Sequence, residues 1–200
     1  KTWTKYPGGA PANVACGLQK LGIPSAFLGR LGSDAAGQSL KTLLQEIGVD
    51  LTGLQTDPAR PTRLVYVTRS LDGDRQFAGF GEYSTEDFAD TAMVATEIPE
   101  SLFESAQFLV MGTIALAYPD SRGATEKLVA LAAKHQVKIF LDLNWRPVFW
   151  GDETEAKQRI TDLIPHATIL KCTDEEAVWL FGRQDPVTLH DKMPHLQGVL

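Results

Sequence analysis

From about residue 107 onward, short apolar runs alternate with segments whose apolar residues recur at helical spacing. The apolar runs lie at residues 108–111, 137–141 and 167–170, and a similar stretch stands at residues 197–200. Almost continuously apolar runs are typical of strands covered on both faces, and their alternation with helices is the pattern of a parallel sheet. The sequence therefore predicts an α/β fold in which a doubly wound, mostly parallel sheet is flanked by helices.

Two helical segments precede this region. Residues 11–21 are followed by Gly22, and residues 34–47 place their leucines on one face and are followed by Gly48. A glycine just past the last helical residue favours the left-handed conformation that closes many helices. We therefore expect two helices that face the core ahead of the parallel sheet.

A β-hairpin is predicted between the helices and the parallel sheet. Residues 62–69 and 75–78 are rich in β-branched and aromatic side chains, and the Asp72-Gly73 pair between them is a turn signal. A hairpin that interrupts an α/β chain is a candidate lid. We expect one domain over residues 1–200, with residues 60–84 as its lid.

Composition argues against several classes of function. The 200 residues are 44% hydrophobic and 22% charged, as in ordinary globular domains, and the net charge of −6 argues against binding to a phosphate backbone. No apolar run approaches the roughly 18 residues of a membrane span. Cys16 and Cys172 lie far apart, and the four histidines lack metal-ligand spacing. These features predict a soluble, cytoplasmic protein without nucleic-acid or membrane partners.

The first chemical motif is the pair Gly8-Gly9 ahead of the first predicted helix. Adjacent glycines let a ligand approach the backbone closely, and Asn13 on the first helical turn offers both a donor and an acceptor, as a sugar hydroxyl requires. The alternative is that the glycines form a turn and Asn13 is simply a polar residue of the first turn. Residues 29–37 continue the motif with three further glycines and Asp34.

The second motif follows the strand predicted at residues 137–141. Asp142, Asn144 and Arg146 alternate there, and ligands of open α/β sheets bind beyond the carboxyl ends of the strands. A planar, permanently charged guanidinium suits an anionic group. The alternative is that Asp142 and Asn144 satisfy backbone groups of a turn and Arg146 pairs with a surface carboxylate.

The third motif follows the strand predicted at residues 167–170 and contains Lys171, Thr173 and Glu176. A threonine followed three residues later by glutamate is a helix capping box, which explains both residues without any chemistry.

The motif that begins at Gly8 and runs to Gly37 resembles the N-terminal signature of the ribokinase-like (PfkB) carbohydrate kinases. The Asp-x-Asn-x-Arg-Pro segment after residue 141, with Phe149-Trp150 behind it, is similar to fructokinases and 2-keto-3-deoxygluconate kinases. The resemblance implies that Gly8, Gly9 and Asn13 contact the sugar under a closing β-flap. It also implies a substrate role for Arg146.

The same resemblance assigns the nucleotide side of the site. It implies that Asn144 and Lys171 lie near the phosphates of ATP, and that Glu176 organises Mg²⁺ indirectly, through water. Thr173 stands where the family has asparagine, which weakens the assignment of Glu176.

The predicted lid departs from the fructokinase pattern. Phe80-Gly81-Glu82 stands where Phe-Tyr-Arg often follows the second flap strand, so a sugar-contacting arginine is missing, which argues against fructose. Tyr66, Phe77 and Phe80 have three alternative roles: they cover the core, pack on substrate, or form a homodimer interface through the lid.

The resemblance also implies a segment that the sequence lacks. The family supplies its catalytic aspartate through Gly-Ala-Gly-Asp, and residues 1–200 contain neither that segment nor a phosphate-binding GxxxxGK[ST] loop. We expect this aspartate beyond Leu200, the first strand before residue 1, and no turnover by the fragment alone. The implied parent is an ATP-dependent sugar kinase. A non-catalytic sugar-binding or regulatory relative and a doubly wound binding domain of unrelated function are the alternatives.

Overall fold

The computed structural model describes residues 2–70 and 72–200, which divide into two compact units, Lys1–Met93 and Val94–Leu200. Each unit is described in turn. The first unit contains the helices and strands α1 (Ala10–Lys20), β1 (Gly29–Gly32), α2 (Ala35–Ile47), β2 (Leu54–Asp57), β3 (Tyr66–Arg69) and β4 (Arg75–Gly79), with a 3₁₀ turn at Ala89–Ala92.

Both predicted N-terminal helices are confirmed, and their ends follow from local chemistry. α1 begins after Gly9, which has a φ of 107°, and Pro11 occupies its first turn. The Asp34 side chain caps α2 by accepting a hydrogen bond from the backbone of Gly37, and Gly48 closes α2 in the left-handed conformation, with φ 91°.

A short parallel pair of strands lies between these helices in sequence. β1 and β2 pair in register from Gly29 opposite Leu54 to Gly32 opposite Asp57. A small core is formed by Ala15 of α1, Leu44 of α2 and Val49, with Phe27 and Leu51 partly buried against it. The sequence pattern did not predict these strands, because each has only four residues and neither is an apolar run.

The predicted hairpin is present as the antiparallel pair β3–β4, with Gly73 in its turn at φ 87°. Its first strand begins at Tyr66, so the prediction that residues 62–65 belong to it was wrong. The reason is that Thr62 is held elsewhere: its N–H donates to Asp34 Oδ2 at 2.6 Å, and its hydroxyl accepts from the backbone of Gly32 at 2.9 Å. These bonds tie residue 62 to the start of α2.

The second unit alternates strands and helices, as predicted. Its main elements are β5 (Phe108–Gly112), α3 (Pro119–Lys134), β6 (Lys138–Asp142), α4 (Glu153–Leu163), β7 (Ile169–Lys171), α5 (Asp174–Phe181), α6 (Pro186–Lys192) and β8 (Gly198–Val199). The four strands form one parallel sheet in the order β5-β6-β7-β8. Fully buried side chains in this unit include Leu141, Leu143, Ile160 and Leu170.

The strands predicted at residues 108–111, 137–141, 167–170 and 197–200 are thus confirmed within one residue or two at their ends. The organisation as a single domain over residues 1–200, with a lid at residues 60–84, stays a prediction. Among residues 2–70 and 72–200, no helix is both long and apolar enough to span a membrane.

Candidate functional site at the carboxyl edge of the sheet

The carboxyl ends of the parallel strands bring three segments of the second unit together. Gly112 of β5 is opposite Asp142 of β6, and Asp142 is opposite Lys171 of β7. The ladder continues past β6, because Leu143 N–H donates to the Lys171 carbonyl at 2.9 Å. Residues that follow β6 and β7 therefore lie side by side at the edge where open α/β sheets bind ligands.

Asp142 and Lys171 form an ion pair across this edge. Lys171 Nζ lies 2.8 Å from Asp142 Oδ2, and the two side chains are 46% and 26% exposed. An ion pair this open to solvent contributes about 0–1 kcal/mol. The Lys171 ammonium is thus held weakly enough for a more highly charged anion to displace Asp142.

The turn that carries Asn144 is held in place by residues at the end of β5. Asn144 has φ 42°, in the left-handed region that asparagine tolerates better than most residues. The Thr113 hydroxyl donates to the carbonyl of Leu143, and Thr113 is fully buried. A Cβ at Gly112 would lie 3.8 Å from Asn144 Cβ, so the end of β5 passes close to this turn. Asn144 is therefore fixed beside the strand ends.

Glu176 is the third residue of α5 and forms a capping box with Thr173, so the capping interpretation of these two residues is confirmed. Its Oε2 accepts from Thr173 N–H at 3.0 Å, and the Thr173 hydroxyl accepts from Glu176 N–H at 3.2 Å. Its Oε1 accepts a second backbone hydrogen bond, from Trp145 N–H at 2.6 Å. Glu176 is only 5% exposed. Its predicted link to Mg²⁺ stays a prediction.

Arg146 is anchored on one side and open on the other. Its Nη1 donates to the Trp145 carbonyl at 2.6 Å and lies 3.6 Å from Glu176 Oε1. The side chain is 55% exposed, and its Nε and Nη2 have no hydrogen-bond partner in the described part of the chain. One edge of a guanidinium fork can therefore receive a carboxylate or phosphate in a bidentate manner.

An aromatic cluster surrounds this loop and was not singled out from the sequence. Trp145 stacks on Trp179 of α5, with ring centroids 4.0 Å apart, and Trp150 lies 6.0 Å from Trp145. Trp179 Nε1 donates to Glu153 at 2.9 Å. Hydrogen bonds from Lys157 and Trp179 lower the pKa of Glu153 below its usual value. The spacing of the three tryptophans carried no signal, because they come together only when α5 packs beside the loop.

In the first unit, Gly8, Gly9 and Asn13 lie at the start of α1 and are all exposed. A Cβ at Gly8 or Gly9 would meet no atom within 4 Å, and only Gly9 has a positive φ. Asn13 N–H closes the first turn of the helix on Gly9 O at 2.9 Å, and its side chain has no partner in residues 2–70 or 72–200. Neither packing nor backbone conformation requires glycine at residue 8.

The glycines further along the same motif have a structural role. A Cβ at Gly32 would lie 2.6 Å from the carbonyl oxygen of Arg60, and one at Gly37 would lie 2.0 Å from that of Gly32. Asp34 binds both Gly37 N–H and Thr62 N–H. Burial raises the pKa of Asp34, but these hydrogen bonds more than offset it and hold the pKa below its usual value.

A cavity of about 460 Å³ lies in the first unit at the base of the hairpin, where Asp34, Thr62 and Tyr66 contribute to its lining. The lid aromatics divide by environment. Phe80 is 7% exposed and packs on Phe88, with centroids 5.7 Å apart, so it covers the core. Phe77 is 55% exposed.

The predicted site residues thus fall into two groups. Asn144, Arg146, Lys171 and Glu176 meet at one sheet edge of the second unit, whereas Gly8, Gly9 and Asn13 belong to the first unit. Within the described ranges 2–70 and 72–200, no three His, Cys, Asp or Glu side chains form a group that could hold a metal ion.

A parallel α/β sheet with ionic and amide side chains at its carboxyl edge has the layout at which open α/β proteins bind small ligands. Residues 1–199 match the model of the pfkB family carbohydrate kinases, and the chain belongs to that family. This match confirms the resemblance to the ribokinase-like (PfkB) carbohydrate kinases.

The similar proteins include fructokinases of several organisms. Probable fructokinase-7 of Arabidopsis thaliana is 33% identical over 182 residues, which cover 91% of this chain and 52% of that protein. Fructokinase-2 of Solanum lycopersicum is 35% identical over 178 residues, with 89% and 53% covered. This chain therefore spans about half the length of these curated relatives.

Solved structures that are similar to this chain include a fructokinase in two forms. The apo crystal structure of fructokinase from Vibrio cholerae O395 is 31% identical, with a TM-score of 0.83 over 96% of this chain and 64% of that one. The form of that enzyme with bound fructose, ADP and calcium ion is 29% identical, with a TM-score of 0.82 over 98% of this chain and 62% of that one.

Proposed function

We propose that the full-length protein transfers the γ-phosphoryl group of ATP to a hydroxyl of a small sugar. The observation that carries this proposal is the meeting of Asn144, Arg146 and Lys171 at the carboxyl edge of a parallel sheet in a pfkB family chain. The Vibrio cholerae fructokinase with bound fructose and ADP supports both the sugar and the nucleotide.

Phosphoryl transfer demands mainly positioning and charge stabilisation from the protein. Lys171 supplies a cation that can leave Asp142 for a phosphate, since both side chains of the pair are partly exposed to solvent. Asn144 supplies an amide beside it. A Cβ at Gly8 would meet no atom within 4 Å, so a ligand has room to approach the backbone there. The Asn13 side-chain amide has no partner in the described residues and can bond sugar hydroxyls.

Mg²⁺ is the proposed cation, and it would neutralise charge on the transferring phosphates. The family resemblance implies that Glu176 holds this ion indirectly, through water. The described residues fit this ion poorly, because both oxygens of Glu176 already accept backbone hydrogen bonds and the residue is 5% exposed.

The catalytic base is proposed to lie outside residues 1–200, because the sequence contains no Gly-Ala-Gly-Asp segment. We therefore expect the isolated 200-residue chain to show no turnover, in contrast to the full-length protein. Robust sugar phosphorylation by the isolated chain would contradict this account of the base.

A second substrate, 2-keto-3-deoxygluconate, is favoured by one observation. The Nε and Nη2 edge of Arg146 has no partner in the described residues, and its geometry suits a carboxylate, which fructose lacks. The relatives favour fructose. A non-catalytic sugar-binding or regulatory protein is the third candidate, and it predicts sugar binding without ADP release.

The hairpin β3–β4 is proposed as a lid and as a homodimer surface of a cytoplasmic protein. The cavity at its base, about 460 Å³, falls within the size range of small-molecule sites. Val67 and Phe77 are cross-strand neighbours and are 42% and 55% exposed, so they offer an apolar surface to a second copy. Analytical ultracentrifugation of Phe77→Ser against the wild type tests the dimer.

ADP release by the full-length protein, measured with fructose, 2-keto-3-deoxygluconate, ribose and adenosine in turn, tests the function. We expect one of the first two to be phosphorylated with the highest kcat/KM. Preference for ribose or adenosine would contradict the assignment of substrate, and the absence of ADP release with all four would contradict the proposed activity.

A further inference from the structure

The buried carboxylate of Glu176 joins two loops that are far apart in sequence. One oxygen belongs to the capping box at the start of α5, where it accepts from Thr173 N–H. The other accepts from Trp145 N–H at 2.6 Å, across 31 positions of sequence. A capping box requires only the first of these bonds. The second bond connects α5 to the loop that follows β6.

This connection has the features of a strong one. The acceptor is a carboxylate, and hydrogen bonds to charged groups are about twice as strong as neutral ones. Glu176 is 5% exposed, so solvent screens the bond little. The stack of Trp145 on Trp179 ties the same loop to the same helix, with ring centroids 4.0 Å apart. The position of Trp145 is therefore determined by α5 through two independent contacts.

Arg146 takes its orientation from the same two residues. Its Nη1 donates to the carbonyl of Trp145 at 2.6 Å and faces Glu176 Oε1 at 3.6 Å. Because Glu176 binds the N–H of Trp145 and attracts the guanidinium beside it, both supports of Nη1 depend on this carboxylate. The opposite edge of the guanidinium, at Nε and Nη2, stays open in a side chain that is 55% exposed.

We propose that Glu176 is a positioning residue that holds Arg146 in the orientation in which its open edge meets the substrate. The inference rests on the proposed function, because the substrate is the ligand that Arg146 is held to receive. It gives Glu176 a role that both of its oxygens already perform in the described structure.

The variant Glu176→Gln tests this role in the full-length protein. Glutamine is a good third residue of a capping box, but it has one acceptor oxygen for two backbone N–H groups and no charge to face Arg146. Asp152→Ala is the matched control. Asp152 caps α4 by accepting from Glu155 N–H at 2.7 Å, so this substitution also removes a helix cap in the second unit. Within residues 2–70 and 72–200, Asp152 has no hydrogen bond or ion pair with Trp145, Arg146 or Glu176.

Three readouts are compared: KM and kcat for the preferred sugar, near-ultraviolet circular dichroism of the stacked tryptophans without ligand, and the Mg²⁺ concentration that gives half of the maximal rate. For Glu176→Gln we expect KM to rise about tenfold, as loss of a charge-assisted hydrogen bond implies. We also expect a weaker tryptophan signal and an unchanged Mg²⁺ requirement. Asp152→Ala should leave all three as in the wild type. In an Arg146→Ala background, Glu176→Gln should change KM less than about twofold, since contacts in one network are not additive.

An unchanged KM, a shifted Mg²⁺ requirement, or independent effects of the two substitutions would each overturn the proposal. If the wild type phosphorylates no sugar, the proposed function fails by itself. The dichroism comparison still decides the positioning role in that case, because an unchanged spectrum in Glu176→Gln shows that the carboxylate does not hold the loop.

Discussion

Replacing Gly37 by alanine sets two physical effects of opposite sign against each other. Gly37 lies in the first turn of α2, and alanine is favoured over glycine in helices by up to about 1 kcal/mol. An added Cβ at Gly37 would lie 2.0 Å from the carbonyl oxygen of Gly32 and 2.7 Å from the Thr62 hydroxyl, where ordinary contact begins at 3.4 Å. The nearer atom belongs to the backbone, so a change of rotamer cannot relieve the clash.

The cost follows from what must move. If α2 shifts away from β1, the hydrogen bond from Gly37 N–H to Asp34 Oδ1, 2.8 Å long, is lengthened or lost. Overpacking of this kind costs about 1–3 kcal/mol, and loss of an N-cap costs about 1 kcal/mol more. Set against the gain in helix propensity, Gly37→Ala should lower the free energy of unfolding by about 2 kcal/mol.

Urea denaturation followed by circular dichroism measures this change, with Gly17→Ala as the control. Gly17 lies inside α1 in the same unit, and a Cβ there would meet no atom within 4 Å. Gly17→Ala should therefore raise the free energy of unfolding by up to about 1 kcal/mol. If Gly37→Ala is as stable as the wild type, or gains stability as Gly17→Ala does, the contact between α2 and β1 is not what requires glycine.

Three further outcomes are expected. Asn13→Ala should raise the sugar KM of the full-length protein about tenfold. It should change the free energy of unfolding by less than about 0.5 kcal/mol, because the Asn13 side chain is exposed and unpartnered in the described residues. A large loss of stability would instead indicate a structural role for Asn13. Burial raises the pKa of Asp57, but backbone hydrogen bonds and the charge of Arg30 lower it below its usual value. Its stabilising effect is then complete above about pH 4 and lost as pH falls through the folded-state pKa. The difference in melting temperature between wild type and Asp57→Asn should narrow below pH 4, and a gap independent of pH would contradict this. Lys171→Ala should weaken ATP binding about tenfold by calorimetry, whereas Asp142→Asn should strengthen it about threefold by releasing the lysine; weaker binding by Asp142→Asn would mean that the ion pair orients Lys171.

The elements that the sequence predicted correctly are those whose signals are local. The ends of α2 follow from Asp34 and Gly48, which act on backbone groups within a few residues of themselves. Strands of the second unit follow from apolar runs such as residues 137–141, because a strand that is buried on both faces is apolar at almost every position. The four-residue strands β1 and β2 are not apolar runs, and their pairing depends on residues about 25 positions apart.

For the site, the sequence indicated which residues carry chemistry but not which contacts they make. Position after a strand placed Asp142, Asn144 and Lys171 at one edge, because parallel strands end together. The pairing of Lys171 with Asp142, however, depends on the register of β6 against β7. The sequence predicts that the carboxylate of Glu176 is a cap or an aid to metal binding, whereas its bond to Trp145 follows only from the packing of α5 against the loop.

The sequence by itself determined the α/β class, both N-terminal helices, the hairpin and the family, since each rests on periodicity, caps, turns or an ordered motif along the chain. Only the tertiary structure separated the glycines of that motif. Gly8 faces open space, whereas Gly37 lies where a Cβ would meet the carbonyl of Gly32. The physical reason is that the sequence shows only that a residue is glycine. Whether glycine is needed so that a ligand can approach, or because a neighbouring backbone lies too close for a Cβ, depends on the distances to surrounding atoms.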